Sequence, residues 1–113
     1  MPHLAVNGVH LWVEETGAGP AMLFLHEFGG DHRSWHRQIE YFERTHRCIA
    51  YAVRGFPPSD VPEDEAAYSQ DIATADAFGV LDALGIERAI VVGLSMGAYT
   101  GLTMALAAPD RVA

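Results

Sequence analysis

The pentapeptide Gly93-Leu94-Ser95-Met96-Gly97 stands between an apolar run, Ala89-Ile90-Val91-Val92, and a stretch of mostly small residues, Ala98 to Ala107. A buried strand, a tight turn with a glycine on each side of a serine, and a helix follow one another, which is the local order of a nucleophile elbow. A serine works as a nucleophile only when its hydroxyl is exposed and a base can reach it, and such a turn presents it that way. The glycines have a steric reason. The serine backbone is expected in a strained conformation, and neighbouring chain must pass within contact distance of positions 93 and 97. Met96 would place a backbone N–H at the helix start, where unpaired donors and the helix dipole favour a developing oxyanion.

The chain has 113 residues and a mass of 12.3 kDa, enough for one small domain and too little for two. Half of its residues are hydrophobic, so it can build a core. Seven Arg, no Lys and fifteen Asp plus Glu give a net charge of −8, which excludes an electrostatic footprint for nucleic acid or anionic lipid. Between Arg54 and Arg88 lie Asp60, Glu63, Asp64, Glu65, Asp71, Asp76, Asp82 and Glu87 without a single base, and this run reads as a solvated acidic loop and helix face. The one cysteine, Cys48, lies in the apolar run Cys48-Ile49-Ala50-Tyr51 and reads as a buried small hydrophobe in a reducing compartment. The N-terminus has neither a basic region nor an apolar region of a secretion signal, and no stretch reaches membrane-spanning length, so a cytoplasmic protein without membrane contact is expected.

Two runs, His3 to Val6 and Val9 to Glu14, flank Asn7-Gly8 and predict an antiparallel hairpin. Gly17-Ala18-Gly19-Pro20 ends it. The continuous apolar run Ala21 to Leu25 has the pattern of a strand buried on both faces of a parallel sheet. After a loop, His26 to Asp31, the spacing of Trp35, Ile39 and Phe42 predicts an amphipathic helix capped by Asp31 or Ser34. A strand is expected over Cys48 to Val53, then a Pro-rich loop from Arg54 to Asp60. A longer helix should run from about Ser69, its N-cap, to Leu84, with Gly85 as its stop. Alternating strands and helices after an opening hairpin define an α/β fold with helices over a mostly parallel sheet. Pro109-Asp110-Arg111-Val112-Ala113 reads as a helix stop followed by the first residues of a further strand, so the chain is expected to end in mid-fold.

His26-Glu27-Phe28-Gly29-Gly30 after the third strand, Arg54-Gly55 after the fourth, and Gly93-Leu94-Ser95-Met96-Gly97 after the fifth together resemble the α/β-hydrolase family, in particular its small serine esterase-like members. The resemblance covers nearly all of residues 1–113 and implies the N-terminal part of one α/β-hydrolase domain, cut after the elbow helix. It implies a serine hydrolase that cleaves a carboxylic ester or lactone through an acyl-enzyme on Ser95, with the N–H groups of Phe28 and Met96 as the oxyanion hole. A small acyl compound is the expected partner, and neither a cofactor nor a metal is implied. The family takes its acid and its histidine from later strands, so this stretch by itself is expected to be a poor catalyst. Its open sheet edge is expected to invite self-association. Glu27 departs from the family pattern, which has glycine there, and a carboxylate beside an oxyanion site opposes the charge unless it faces solvent or an arginine.

Alternative readings are other chemistries on the same elbow (C–C bond hydrolase, acyltransferase, perhydrolase) and a non-catalytic binding module. A dinucleotide loop is excluded, because G-x-G-x-x-G is absent. The family's histidine at position 26 is structural, which sets His26 apart from a general base. His32, His36 and Glu40 have helical spacing that suits metal ligands, but without a matched further group they read as solvent-facing. Trp12, Trp35 and Phe42 read as packing residues.

Overall fold

A computed structural model describes residues 3–113. The chain opens with β1 (His3–Val6) and β2 (Val9–Thr16), paired antiparallel with Val6 opposite Val9. Asn7 and Gly8 turn between them with φ of 47° and 84°, the two left-handed residues that a two-residue hairpin needs to match strand twist. Then come β3 (Ala21–Leu25), α1 (His36–Phe42), β4 (Arg47–Tyr51), α2 (Gln70–Ala83), β5 (Ile90–Gly93) and α3 (Met96–Ala107), with single 3-10 turns at Glu65–Ala67 and Pro109–Arg111. The sheet order is β1-β2-β4-β3-β5, in which β3 runs parallel to both β4 and β5. A parallel core with an antiparallel ribbon on one side is the α/β architecture read from the sequence.

The pleat divides the core into two. Leu23, Leu25, Ile49 and Tyr51 face α2 and α3, where they pack with Val80, Leu81 and Met104. Met22, Phe24, Cys48 and Ala50 face the other way, against Trp35, Ile39 and Phe42 of the α1 segment. Each fully buried Leu, Ile or Phe contributes about 1.5–3 kcal/mol, so β3 and β4, covered on both faces, anchor the domain. Cys48 is free and buried as expected.

Helix α2 starts and stops where its residues dictate: Ser69 Oγ accepts the Ile72 N–H at 3.0 Å, and Gly85 leaves the helix with φ 70°. Helix α1 does not follow its expected cap. It begins only at His36, because Asp31 spends its carboxylate on the Arg33 N–H (2.9 Å) and Ser34 Oγ accepts the Asp31 N–H (3.3 Å) inside the preceding loop. Strand β4 also ends two residues early, since the Val53 N–H turns to His26.

Two readings of charged groups are corrected. Asp76 is not on the solvated acidic face: it is 1% exposed and holds Arg54 in a bidentate pair at 2.9 and 3.0 Å. Arg54 also donates to the carbonyls of Ala67 and Asn7, so one buried ion pair ties the loop after β4, helix α2 and the hairpin turn together. His32 is buried rather than solvent-facing, its ring tilted against Trp12 at 5.8 Å between centroids and facing Glu14 at 3.4 Å, while His36 and Glu40 are exposed.

Candidate active site

Strand β5 runs straight into α3 through Leu94 and Ser95, and Ser95 sits at φ 56°, ψ −112°. For a non-glycine residue this conformation costs on the order of 1–3 kcal/mol and persists only when the surroundings impose it. They do. A Cβ on Gly93 would lie 2.6 Å from the Gly97 carbonyl carbon, and one on Gly97 would lie 2.6 Å from the Leu25 carbonyl carbon. The turn is thus stacked on the end of β3, fastened by Leu94 N–H to Leu25 O (3.3 Å) and Gly97 N–H to Leu94 O (3.0 Å). Ser95 itself is exposed and caps nothing, which removes an ordinary N-cap role as the reason for a serine here.

The loop from His26 to Asp31 leaves the neighbouring strand. Leu25 pairs with Gly93 across β3 and β5, so Phe28 and Met96 each lie three residues beyond a paired position. Glu27 to Gly30 form a turn closed by Gly30 N–H to Glu27 O (3.0 Å), with Gly29 at φ 88°, a value that suits glycine. The backbone N–H groups of Phe28 and Met96 have no hydrogen-bond partner among the described residues. Met96 is the first residue of α3, where a free donor meets the positive end of the helix dipole.

His26 is fully buried and spent at both nitrogens. The Val53 N–H donates to Nε2 at 3.0 Å, which fixes the proton on Nδ1, and that N–H donates to the Glu27 carbonyl at 2.8 Å. Burial pushes its pKa below the usual imidazole value, against smaller opposing contributions from the Glu27 carbonyl and carboxylate. A ring locked this way holds the loop and is not free to take a proton from Ser95. The other described histidines face partners elsewhere: His3 the Pro58 carbonyl, His10 Asp60, His32 and His36 Glu14, and His46 Thr45.

Glu27 neither reaches an arginine nor turns fully to solvent. Its side chain folds over Gly30, where an added Cβ would lie 2.6 Å from the carboxyl carbon, and Oε1 is buried without a partner. Among the described residues, no group of three or more His, Cys, Asp or Glu could hold a metal ion. In the sequence Asp76 reads as part of the solvated acidic run and Arg54 only as a loop-motif residue, although Asp76 falls on the inward stripe of α2 with Ala77 and Val80, a spacing that marks a buried acid.

A family described as alpha/beta hydrolase fold matches residues 20–113. An epoxide hydrolase of Caballeronia sordidicola is 41% identical over 109 residues, which cover 96% of this chain and 33% of that protein. A 2-hydroxymuconate semialdehyde hydrolase of Pseudomonas sp. (strain CF600) is 34% identical over 93% of this chain and 38% of its own length. Among solved structures, an epoxide hydrolase from Vigna radiata superposes with a TM-score of 0.94 at 32% identity, over 97% of this chain and 36% of that one. The chain spans about a third of the length of the curated relatives it matches.

Proposed function

The chain belongs to the α/β-hydrolase family, and from that premise we propose that it carries the nucleophile and oxyanion hole of a serine hydrolase acting on a carboxylic ester or lactone. The observation that carries this reading is Ser95 at φ 56°, exposed between two glycines that no larger residue could replace. Ser95 Oγ attacks the carbonyl carbon and gives its proton to a base, and the carbonyl oxygen takes the negative charge. The N–H groups of Met96 and Phe28 receive that oxyanion, each worth about 3 kcal/mol to the transition state. The alcohol leaves with a proton, and water then attacks the acyl-serine through the same oxyanion. His26 is locked, so the base comes from outside residues 1–113, in a chain of the relatives' length.

Several relatives are named epoxide hydrolases, yet the elbow residue here argues for a carbonyl substrate. A serine that opened an epoxide would be left as an alkyl ether. Such a bond offers water no carbonyl to attack and develops no charge for the two N–H groups to hold, so turnover would stop after one event. An acyl group on the same oxygen is a hydrolysable ester. The relative named for 2-hydroxymuconate semialdehyde, a carbonyl compound, fits the same logic.

A fluorophosphonate probe should label the full-length protein at Ser95, and Ser95→Ala should abolish both labelling and turnover of p-nitrophenyl butyrate. Styrene oxide should give no diol above the buffer rate. Ester turnover that survives in the variant, or rapid diol formation, would overturn the reading.

A further inference from the structure

A cavity of about 310 Å³ lies beside the elbow, between the first turns of α2 and α3 and the carboxyl ends of β3 and β4. Its apolar wall includes Leu25, Val53, Phe56, Ile72, Ala73 and Met96. Met96 makes it continuous with the oxyanion site. Phe56 forms the partition, its ring edge-on to His26 at 4.9 Å and to Phe28 at 5.9 Å between centroids. A cavity of about 150 Å³ with such a lining accepts benzene, so this one has room for a six-membered ring with substituents.

The polar groups on the wall are mostly committed. Arg54 and Asp76 hold each other, Ser69 caps α2, and the Tyr68 hydroxyl donates to the Pro62 carbonyl at 2.7 Å. Gln70 donates to hydroxyls of Thr74, Thr100 and Thr103, and its half-buried side chain leaves the remaining oxygen open to hydration. Tyr51 differs from all of these. It is 2% exposed, it lines the cavity, and its hydroxyl has no hydrogen-bond partner among the described residues. That hydroxyl opens on the cavity, so a ligand oxygen placed there gives it the hydrogen bond that no side chain or carbonyl supplies. The apolar surroundings and the nearby Asp76 carboxylate push its pKa above the usual phenol range, which keeps it a neutral donor.

We propose that this cavity binds a ring-sized apolar group of the substrate and that Tyr51 Oη hydrogen-bonds a hydroxyl or carbonyl oxygen on that ring. The assignment of the ligand as the substrate of Ser95 rests on the function proposed above; the cavity and its chemistry do not. The substrate class is therefore an ester or lactone of an oxygen-substituted aromatic or alicyclic acid or alcohol.

Ligand-detected NMR on the full-length protein with p-cresol and toluene tests the two parts separately. p-Cresol should bind about tenfold more tightly than toluene. Tyr51→Phe removes only the hydroxyl, so it should keep the fold and the toluene affinity while losing the preference for p-cresol. Ala73→Phe, which fills the cavity, should weaken both ligands at least tenfold. Saturating p-cresol should also slow fluorophosphonate labelling of Ser95. A p-cresol preference that persists in Tyr51→Phe, or binding undiminished in Ala73→Phe with the fold intact by circular dichroism, would overturn the proposal. A labelling rate untouched by bound p-cresol would separate the cavity from Ser95 and overturn it as a substrate site. Ser95 that is never labelled would refute the serine-hydrolase reading instead, and the NMR comparison would still decide the cavity.

Discussion

At the residue scale, the site depends on side chains committed to holding it. His26 is neutral because burial disfavours its charge and because Nε2 already accepts the Val53 N–H. Its folded pKa is lowered, so the unfolded chain binds a proton that the folded chain resists. The stability it contributes is complete above its ordinary value of about 6.5 and is lost as pH falls below it. The melting temperature should therefore fall between pH 7.5 and 5, and His26→Asn, less stable throughout, should show a shallower fall; parallel curves would mean that other groups carry the acid sensitivity. The pair of Arg54 and Asp76 makes a sharper case, with side chains 9% and 2% exposed. Asp76→Ala strands a buried guanidinium and should cost about 3–5 kcal/mol in urea unfolding, whereas the double change Arg54→Met with Asp76→Leu should recover most of that loss. Ser95 was legible in the sequence because its signal is local: glycines on both sides, an apolar run before and a helix after. Asp76, His32 and Tyr51 were not, since each is defined by surroundings supplied from far along the chain. A run of acids reads as solvated until an arginine more than twenty residues away is known to turn inward beneath it.

At the scale of elements, the strand-turn-helix unit from β5 to α3 works because β3 fixes its position. Gly97 lies against the Leu25 carbonyl, so any side chain there must push α3 off the sheet. Gly97→Ala should destabilise the fold by more than the roughly 1 kcal/mol that alanine would add in an ordinary helix, with the opposite sign, and should abolish Ser95 labelling even where the fold persists. Gly101→Ala is the control: its Cβ would meet no backbone, just the ends of the Val91 and Leu25 side chains at 3.2 and 4.0 Å, and labelling should survive. A stable, fully labelled Gly97→Ala protein would show that the close approach is not what shapes the turn. The hairpin, β3, α2 and the elbow all matched expectation because caps, turn dipeptides and apolar runs are nearest-neighbour signals. The start of α1 and the end of β4 did not, because Asp31, Ser34 and Val53 make tertiary or loop hydrogen bonds that no periodicity records.

On the scale of the whole molecule, the sheet order leaves β5 at one edge. Only its entrance is covered, by the parallel bridge of Ala89 with Val112, where the first residues of a further strand were expected. Beyond it the outward N–H and C=O groups of β5 have no strand to meet among the described residues. The helix beside that edge presents Tyr99, Leu102 and Leu106 at 59%, 65% and 84% exposure. An unpaired edge next to an apolar stripe is a template for a second copy, in which two β5 strands pair about a two-fold axis and two α3 faces close over them. The net charge of −8 opposes that contact, and salt screens it. A protein consisting of residues 1–113 should therefore sediment as a dimer or larger species, more so at 0.5 M salt than at 0.05 M. Leu102→Glu with Leu106→Glu should shift it toward monomer at both. A salt-independent monomer in the unsubstituted protein would mean that β5 and α3 are satisfied without a partner.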